Sequence, residues 1–241
     1  MSRPQIIVPD SVGIHNASDY AKRLSKEKIY RNLSTVILCP TRGMIPSRMV
    51  SSWQGLMRPM NGQVVGPIFL EGMEVGEAYN QGIKMILEND GLKDFKFILT
   101  LEEDNAPAPD GLLKLYESID DYDAIGGLYF TKGENGQPMC YGNPGEMPLN
   151  FRPQIPQPDS VTPCNGLGMG FTLFRLEMFK DKRFEYGHWF KTLQQYDPNQ
   201  GAKAYTQDLY FFQKAREMGY KFACDSRVKV GHWDHANQIM W

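Results

Sequence analysis

Phe95–Asp110, FKFILTLEEDNAPAPD, is the stretch that decides how the chain folds. Its first seven residues, FKFILTL, read as a strand, and they run straight into Glu102-Glu103-Asp104-Asn105. Pro107 and Pro109 then stop the strand, and Asp110 can cap a helix over Gly111–Ile119. Upstream, Ser34–Pro40 (STVILCP) is a short, nearly continuous apolar run, the mark of a strand buried on both faces, and it closes in the turn residues Thr41-Arg42-Gly43. A helix is expected from Pro46 to Leu56, with proline tolerated in its first turn, and a second strand over Gln63–Leu70 (QVVGPIFL). Val75–Asn89 (VGEAYNQGIKMILEN) carries apolar residues at helical spacing. The interior Gly82 costs that helix about 1 kcal/mol against alanine, which implies close packing there.

Downstream, Ala124–Phe130 (AIGGLYF) is another strand, followed by Thr131–Val161, thirty-one residues rich in Gly, Pro, Asn and Gln with no periodicity. A segment of that length inside a compact domain is a functional loop, here an active-site loop. The glycine-interrupted segment Asn165–Arg175, a polar stretch, and a helix over about Asp208–Met218 come next. Tyr220–Cys224 and Arg227–Val230 read as two closing strands before the tail GHWDHANQIMW. Strands alternating with helices predict an open, mostly parallel α/β sheet flanked by helices, a single domain over residues 34–241 with an N-terminal extension over 1–33. Ligands of such sheets bind at the carboxyl ends of the strands, and both Thr41-Arg42 and Glu102–Asp104 fall there.

Composition narrows the class further. With 41% apolar and 22% charged residues over 241 positions, the chain is neither disordered, collagenous nor a coiled coil. A net charge of −2 gives the whole molecule no electrostatic attraction to nucleic acid, and the basic Lys22–Arg31 stretch (KRLSKEKIYR) reads as a solvated helix face. No apolar run reaches the 18 residues of a membrane span, and the first ten residues hold too short an apolar stretch for a signal peptide. Cys39, Cys140, Cys164 and Cys224 are widely spaced with no C-x-x-C pair, so the expectation is a cytoplasmic protein with idle thiols.

The acidic run carries the chemistry. Three successive carboxylates repel one another, and burying them unpaired costs several kcal/mol. A divalent cation removes that cost, and oxygen ligands suit Mg²⁺ or Mn²⁺, which in turn hold a diphosphate. Taken alone, however, Glu-Glu-Asp after a strand is more often a solvated acidic turn, and Asp208 at a helix start is more often a cap.

Several blocks in one order resemble the GT-A glycosyltransferases, especially their family 2-like group. FKFILTLEEDNAPAPDGLLKLYES resembles their strand, aspartate-any-aspartate motif and following helix; STVILCPTRG their first strand and nucleotide-binding turn; VGEAYNQGIKMIL the helix that usually carries an Arg-Asn pair; TQDLYFFQKAREMGYKF their acidic helix; and VKVGHW their last strand. The resemblance covers about residues 34–233 and implies a Rossmann-like nucleotide-binding fold and a metal-dependent transfer of a sugar from a nucleotide-sugar donor to an acceptor hydroxyl. It makes Asp104 and His232 the ligands of Mn²⁺ or Mg²⁺, and Asp208 the acid that faces the acceptor. Thr41, Arg42, Glu102, Glu103, Gly168 and Gly170 would then bind the nucleotide sugar. Three departures stand out: Glu102 where Asp is usual, Tyr79 where Arg is usual, and Gln207 where Glu is usual. A sugar-nucleotide pyrophosphorylase and a non-catalytic nucleotide- or carbohydrate-binding domain are the alternatives. A glycan, a protein, a small molecule or a modified nucleic-acid base all remain open as acceptor.

Overall fold

The computed structural model describes residues 32–60, 62–197 and 201–241. Nearly all of the expected N-terminal extension, including the basic Lys22–Arg31 stretch, lies outside the described residues. In chain order the elements are β1 (Thr35–Thr41), α1 (Ser47–Gln54), β2 (Val64–Glu71), α2 (Val75–Glu88), β3 (Phe97–Leu101), β4 (Asn105–Pro107), α3 (Gly111–Ser118), β5 (Ala124–Leu128), β6 (Cys140–Tyr141), β7 (Val161–Cys164), β8 (Gly166–Leu167), β9 (Phe171–Arg175), β10 (Leu193–Asp197), β11 (Gly201–Tyr205), α4 (Gln207–Glu217), β12 (Phe222–Asp234) and β13 (Ile239–Met240).

The central sheet runs in the order β13-β12-β5-β9-β3-β1-β2. β2, β1 and β3 are parallel neighbours, as are β5 and β12, while β9 runs antiparallel between β3 and β5. The expected open, mostly parallel α/β sheet is therefore present in its main strands, with β9 reversed among them and the short β4, β7 and β13 antiparallel to β12. Alternation along the strands builds a core on each face. Val36, Leu38 and Ile98 point to the side of α2 and α4; Ile37, Leu99 and Leu101 point to the side of α3. The first side is largely aromatic, with Phe190 and Phe211 stacked at 4.7 Å between ring centroids. Gly82 of α2 packs as its position in the helix implied: a Cβ there would lie 2.9 Å from Leu70 and 3.1 Å from Leu38.

One boundary differs from the sequence expectation. The two closing strands are one, β12, thirteen residues long. Asp225 and Ser226 interrupt the apolar pattern and look like turn residues, yet both are fully buried. Arg227 lies 2.6 Å from the Asp225 carboxylate and the Ser118 hydroxyl donates to it at 3.2 Å, so the polar interruption is satisfied inside the protein and the strand continues. The ladder with β5 shifts register between Asp225 and Lys229. Beyond that shift β12 pairs antiparallel with β4 and carries the first part of the expected tail as strand.

The 131–161 loop is irregular for most of its length, as expected, and is tied down at several points. β6 pairs with β8, Tyr141 bridges to Pro153, and the Asn165 side chain donates to the Asn150 carbonyl at 2.9 Å. All four cysteines are free and buried, and Trp189 is a core residue.

Candidate active site

The acidic run leaves β3 at the carboxyl ends of the parallel strands, and each carboxylate meets a different environment. Glu103 turns toward β1. It accepts the Thr41 hydroxyl at 2.7 Å, the Arg42 backbone N–H at 2.8 Å and the Arg42 Nε–H at 2.5 Å. Burial opposes its ionisation, but these donors outweigh it and lower its pKa. Thr41, Arg42 and Glu103 thus form one knot that ties the end of β1 to the end of β3 and leaves the Arg42 side chain 74% exposed at the mouth.

Glu102 points to the opposite side. The Tyr79 hydroxyl donates to it at 3.2 Å. Burial first, and the charges of Asp104 and Asp208 after it, push the Glu102 carboxyl up to about 8 against the pull of Tyr79 and Lys132. Burial first, and the charges of Glu103, Glu102 and Asp104 after it, hold the Cys39 thiol up at about 12, so it stays protonated.

Asp104 is brought to His232 by backbone pairing. β4 begins directly after the acidic run, its Asn105 is paired with His232 of β12, and the Trp233 N–H donates to the Asp104 carbonyl at 2.7 Å. His232 Nε2 then lies 3.5 Å from Asp104 Oδ2. The other ring nitrogen, Nδ1, is 2.7 Å from the Phe130 carbonyl and must donate there, because a carbonyl only accepts. In the neutral ring Nε2 therefore presents a lone pair toward the carboxylate, the orientation that second-sphere carbonyls impose on metal-binding histidines. Lys132 Nζ also reaches Asp104 Oδ2, at 2.5 Å. Burial opposes ionisation of Asp104, yet the hydrogen bonds and positive charges of His232, in its protonated form, and of Lys132 hold its carboxyl down at about 2.

Asp208 sits in the first turn of α4 and is buried, with its Oδ1 accepting the Leu209 N–H at 2.9 Å. Burial raises its pKa despite that bond and one from Thr206. Its charge adds to the burial that raises the pKa values of Glu102, Tyr129 and Tyr141.

The glycines Gly168 and Gly170 underlie this arrangement. A Cβ at Gly168 would fall 2.2 Å from the Tyr129 hydroxyl, and one at Gly170 would fall 2.4 Å from Asn105 Oδ1. The Tyr129 hydroxyl accepts the Gly170 N–H at 2.8 Å, and its ring meets His232 edge to face. The space beside both glycines is filled by protein. Tyr129, Asn105 and Lys132 are the site residues that sequence reasoning missed; a tyrosine in a strand, an asparagine after an acidic run and a lysine at a loop start carry no signal of their own.

A divalent cation fits this geometry as a partly built site. Asp104 and His232 supply one carboxylate oxygen and one imidazole nitrogen 3.5 Å apart, close enough to share one ion with bonds of about 2.1 Å. Among the described residues no group of three or more His, Cys, Asp or Glu side chains converges to hold a metal. Mg²⁺-like ions ordinarily take only one or two protein carboxylates and complete their shell with substrate phosphates and water.

No family model and no curated protein sequence matches the chain. Among solved structures, A197 from STIV is similar over 86% of this chain and 92% of its own, with a TM-score of 0.57 at 19% identity. GalNAc-T7, solved with UDP, GalNAc and Mn²⁺, is similar over 84% of this chain with a TM-score of 0.53 at 12% identity, and this chain spans 44% of its length. The fold is GT-A-like. In this GT-A-like chain the described helices include none long and apolar enough to cross a membrane.

Proposed function

We propose that the chain is a glycosyltransferase that moves a sugar from a nucleoside-diphosphate sugar to an acceptor hydroxyl with the help of Mn²⁺ or Mg²⁺. The observation that carries this is the convergence of Asp104 and His232, with the imidazole fixed by Phe130, at the carboxyl end of β3. The structural likeness to GalNAc-T7, which was solved with UDP, GalNAc and Mn²⁺, supports it. When bound between Asp104 and His232, the cation would neutralise the charge of the departing nucleoside diphosphate.

The chain's own residues supply the rest. Asp104 offers a carboxylate that is ionised throughout the physiological range. The Phe130 carbonyl keeps His232 Nε2 free of a proton in the neutral ring. Glu103 positions the Thr41-Arg42 turn, leaving the Arg42 guanidinium exposed for the nucleotide or its phosphates. Glu102, held by Tyr79 where an arginine would bind phosphate, faces the ribose and donor sugar. Gly168 and Gly170 let Tyr129 and Asn105 form the floor. Asp208 takes the acceptor proton in an inverting reaction or holds the acceptor in a retaining one. The 131–161 loop flanks the mouth and closes over donor or acceptor.

The test is incubation with Mn²⁺ and a panel of nucleotide sugars, following donor hydrolysis and binding. One or a few donors should be bound and slowly hydrolysed in a Mn²⁺-dependent way. Absence of binding to every nucleotide sugar and nucleoside diphosphate would refute the proposal.

A further inference from the structure

Two groups address the same oxygen. Lys132 Nζ donates to Asp104 Oδ2 at 2.5 Å, and His232 Nε2 faces that same Oδ2 at 3.5 Å. An ion shared by Asp104 and His232 through Oδ2, the oxygen that faces the imidazole, competes there with the ammonium group. A divalent ion and an ammonium group at neighbouring positions also repel each other, beside an Asp104 side chain that is only 16% exposed, while the Lys132 side chain, 31% exposed, reaches it from the solvent side. Lys132 is placed to leave. It stands near the start of a small loop closed at its base by the Thr131 N–H to the Gln137 carbonyl at 2.8 Å, the Gln137 N–H to the Thr131 hydroxyl at 2.8 Å, and the Phe130–Pro138 bridge. Its anchor is therefore fixed while its four-carbon stem can swing. Phe130, whose carbonyl orients His232, is two residues away.

We propose that Lys132 is an internal counter-ion that occupies the Asp104 oxygen in the empty protein, yields it to the divalent cation, and transfers its own charge to the donor's diphosphate. This rests on the proposed function above and adds a regulatory step to it: cation and nucleotide bind cooperatively, because each relieves a conflict that the other creates. The empty site keeps Asp104 neutralised without metal. The loaded site gains a second cation against the leaving diphosphate.

Calorimetric titration with MnCl₂ alone, and then with UDP, GDP, ADP and CDP in saturating Mn²⁺, tests the proposal on the wild type, Lys132→Met and Lys132→Arg. Lys132→Met should bind Mn²⁺ alone about 10-fold more tightly than the wild type, an ordinary size for coupling between sites. It should also bind the preferred nucleoside diphosphate about 10-fold more weakly in saturating Mn²⁺. Lys132→Arg should restore both values toward the wild type, with circular dichroism confirming that each variant is folded. If Lys132→Met binds Mn²⁺ no more tightly, or the diphosphate no more weakly, while the wild type binds both, the inference is overturned and the proposed function stands. If no protein of the series binds Mn²⁺ even with nucleotide, the proposed metal-dependent function fails and the inference falls with it.

Discussion

His232 lies directly across the β4–β12 ladder from Asn105, so the residue after the acidic run is paired by backbone with the candidate histidine. This register, more than any property of the two side chains, sets the 3.5 Å separation of Asp104 and His232. Residues 128 positions apart in sequence are made neighbours by a ladder only three residues long.

Replacing His232 with alanine removes one of the two donors and leaves the ladder, which uses main-chain groups only. The expected outcome is a loss of 10-fold or more in Mn²⁺-dependent nucleotide affinity, on the order seen when a metal site loses a partner. Calorimetry with and without EDTA reads it, and an unchanged affinity removes His232 from the site.

Asp104→Asn keeps the shape of the side chain and deletes its charge. Donor hydrolysis in the presence of Mn²⁺ should fall to near background while the circular dichroism spectrum stays that of the wild type. A variant with wild-type turnover would mean that the acidic run is a solvated turn after all.

Asp208→Asn should leave donor affinity intact and reduce transfer by about 10²–10⁴-fold if the reaction inverts, the usual contribution of a general base. Initial rates with a saturating donor and the identified acceptor measure this. A loss below that range points to a retaining reaction or to a plain helix cap.

The same substitution has a stability signature. Burial raises the folded-state pKa of Asp208 above its ordinary 3.8. The folded protein therefore holds that proton more tightly than the unfolded chain, and the associated stability is full below 3.8 and is lost as pH rises through the folded value. Thermal melts should show Asp208→Asn more stable than the wild type at pH 7, with the advantage shrinking toward pH 4. An advantage independent of pH would mean that the buried charge is not its source.

Gly142 adopts φ +66°, and a Cβ there would fall 2.0 Å from the Asn150 carbonyl oxygen. Both the left-handed backbone and the contact with main chain disfavour any side chain. Gly142→Ala should lower stability by at least about 2 kcal/mol in urea unfolding, or release the 142–152 segment from its pairing. A midpoint equal to that of the wild type would show that the segment is not held as described.

The parallel strands and the long helix α2 were legible because a doubly covered strand and an amphipathic helix leave strong periodic signals. The placement of Asp104 and Thr41 at strand ends followed from those signals. What was not legible depended on pairing or on burial of polar groups. The reversal of β9 leaves no mark in its composition, since its buried neighbours on both sides demand apolar residues whichever way it runs. Asp225 and Ser226 divide the apolar pattern of β12 in two, and only their partners explain their burial, Arg227 and Ser118 for Asp225 and the Gln157 carbonyl for the Ser226 hydroxyl. The contact of Lys132 with Asp104 depends on where a loop returns to the sheet. No spacing along the chain encodes that.

The length of β12 has a consequence for how the molecule opens. Its first half is laddered to β5 and β7 in the centre of the sheet, and its second half carries His232 to β4. At this end the histidine is held by the β4 ladder on one side and by reciprocal main-chain hydrogen bonds with Trp241 on the other, so it comes free only when both pairings open. In native-state hydrogen exchange the Trp233 amide, which donates to the Asp104 carbonyl, should therefore exchange later than the His232 amide, which donates to the Trp241 carbonyl and is released as soon as the chain end opens.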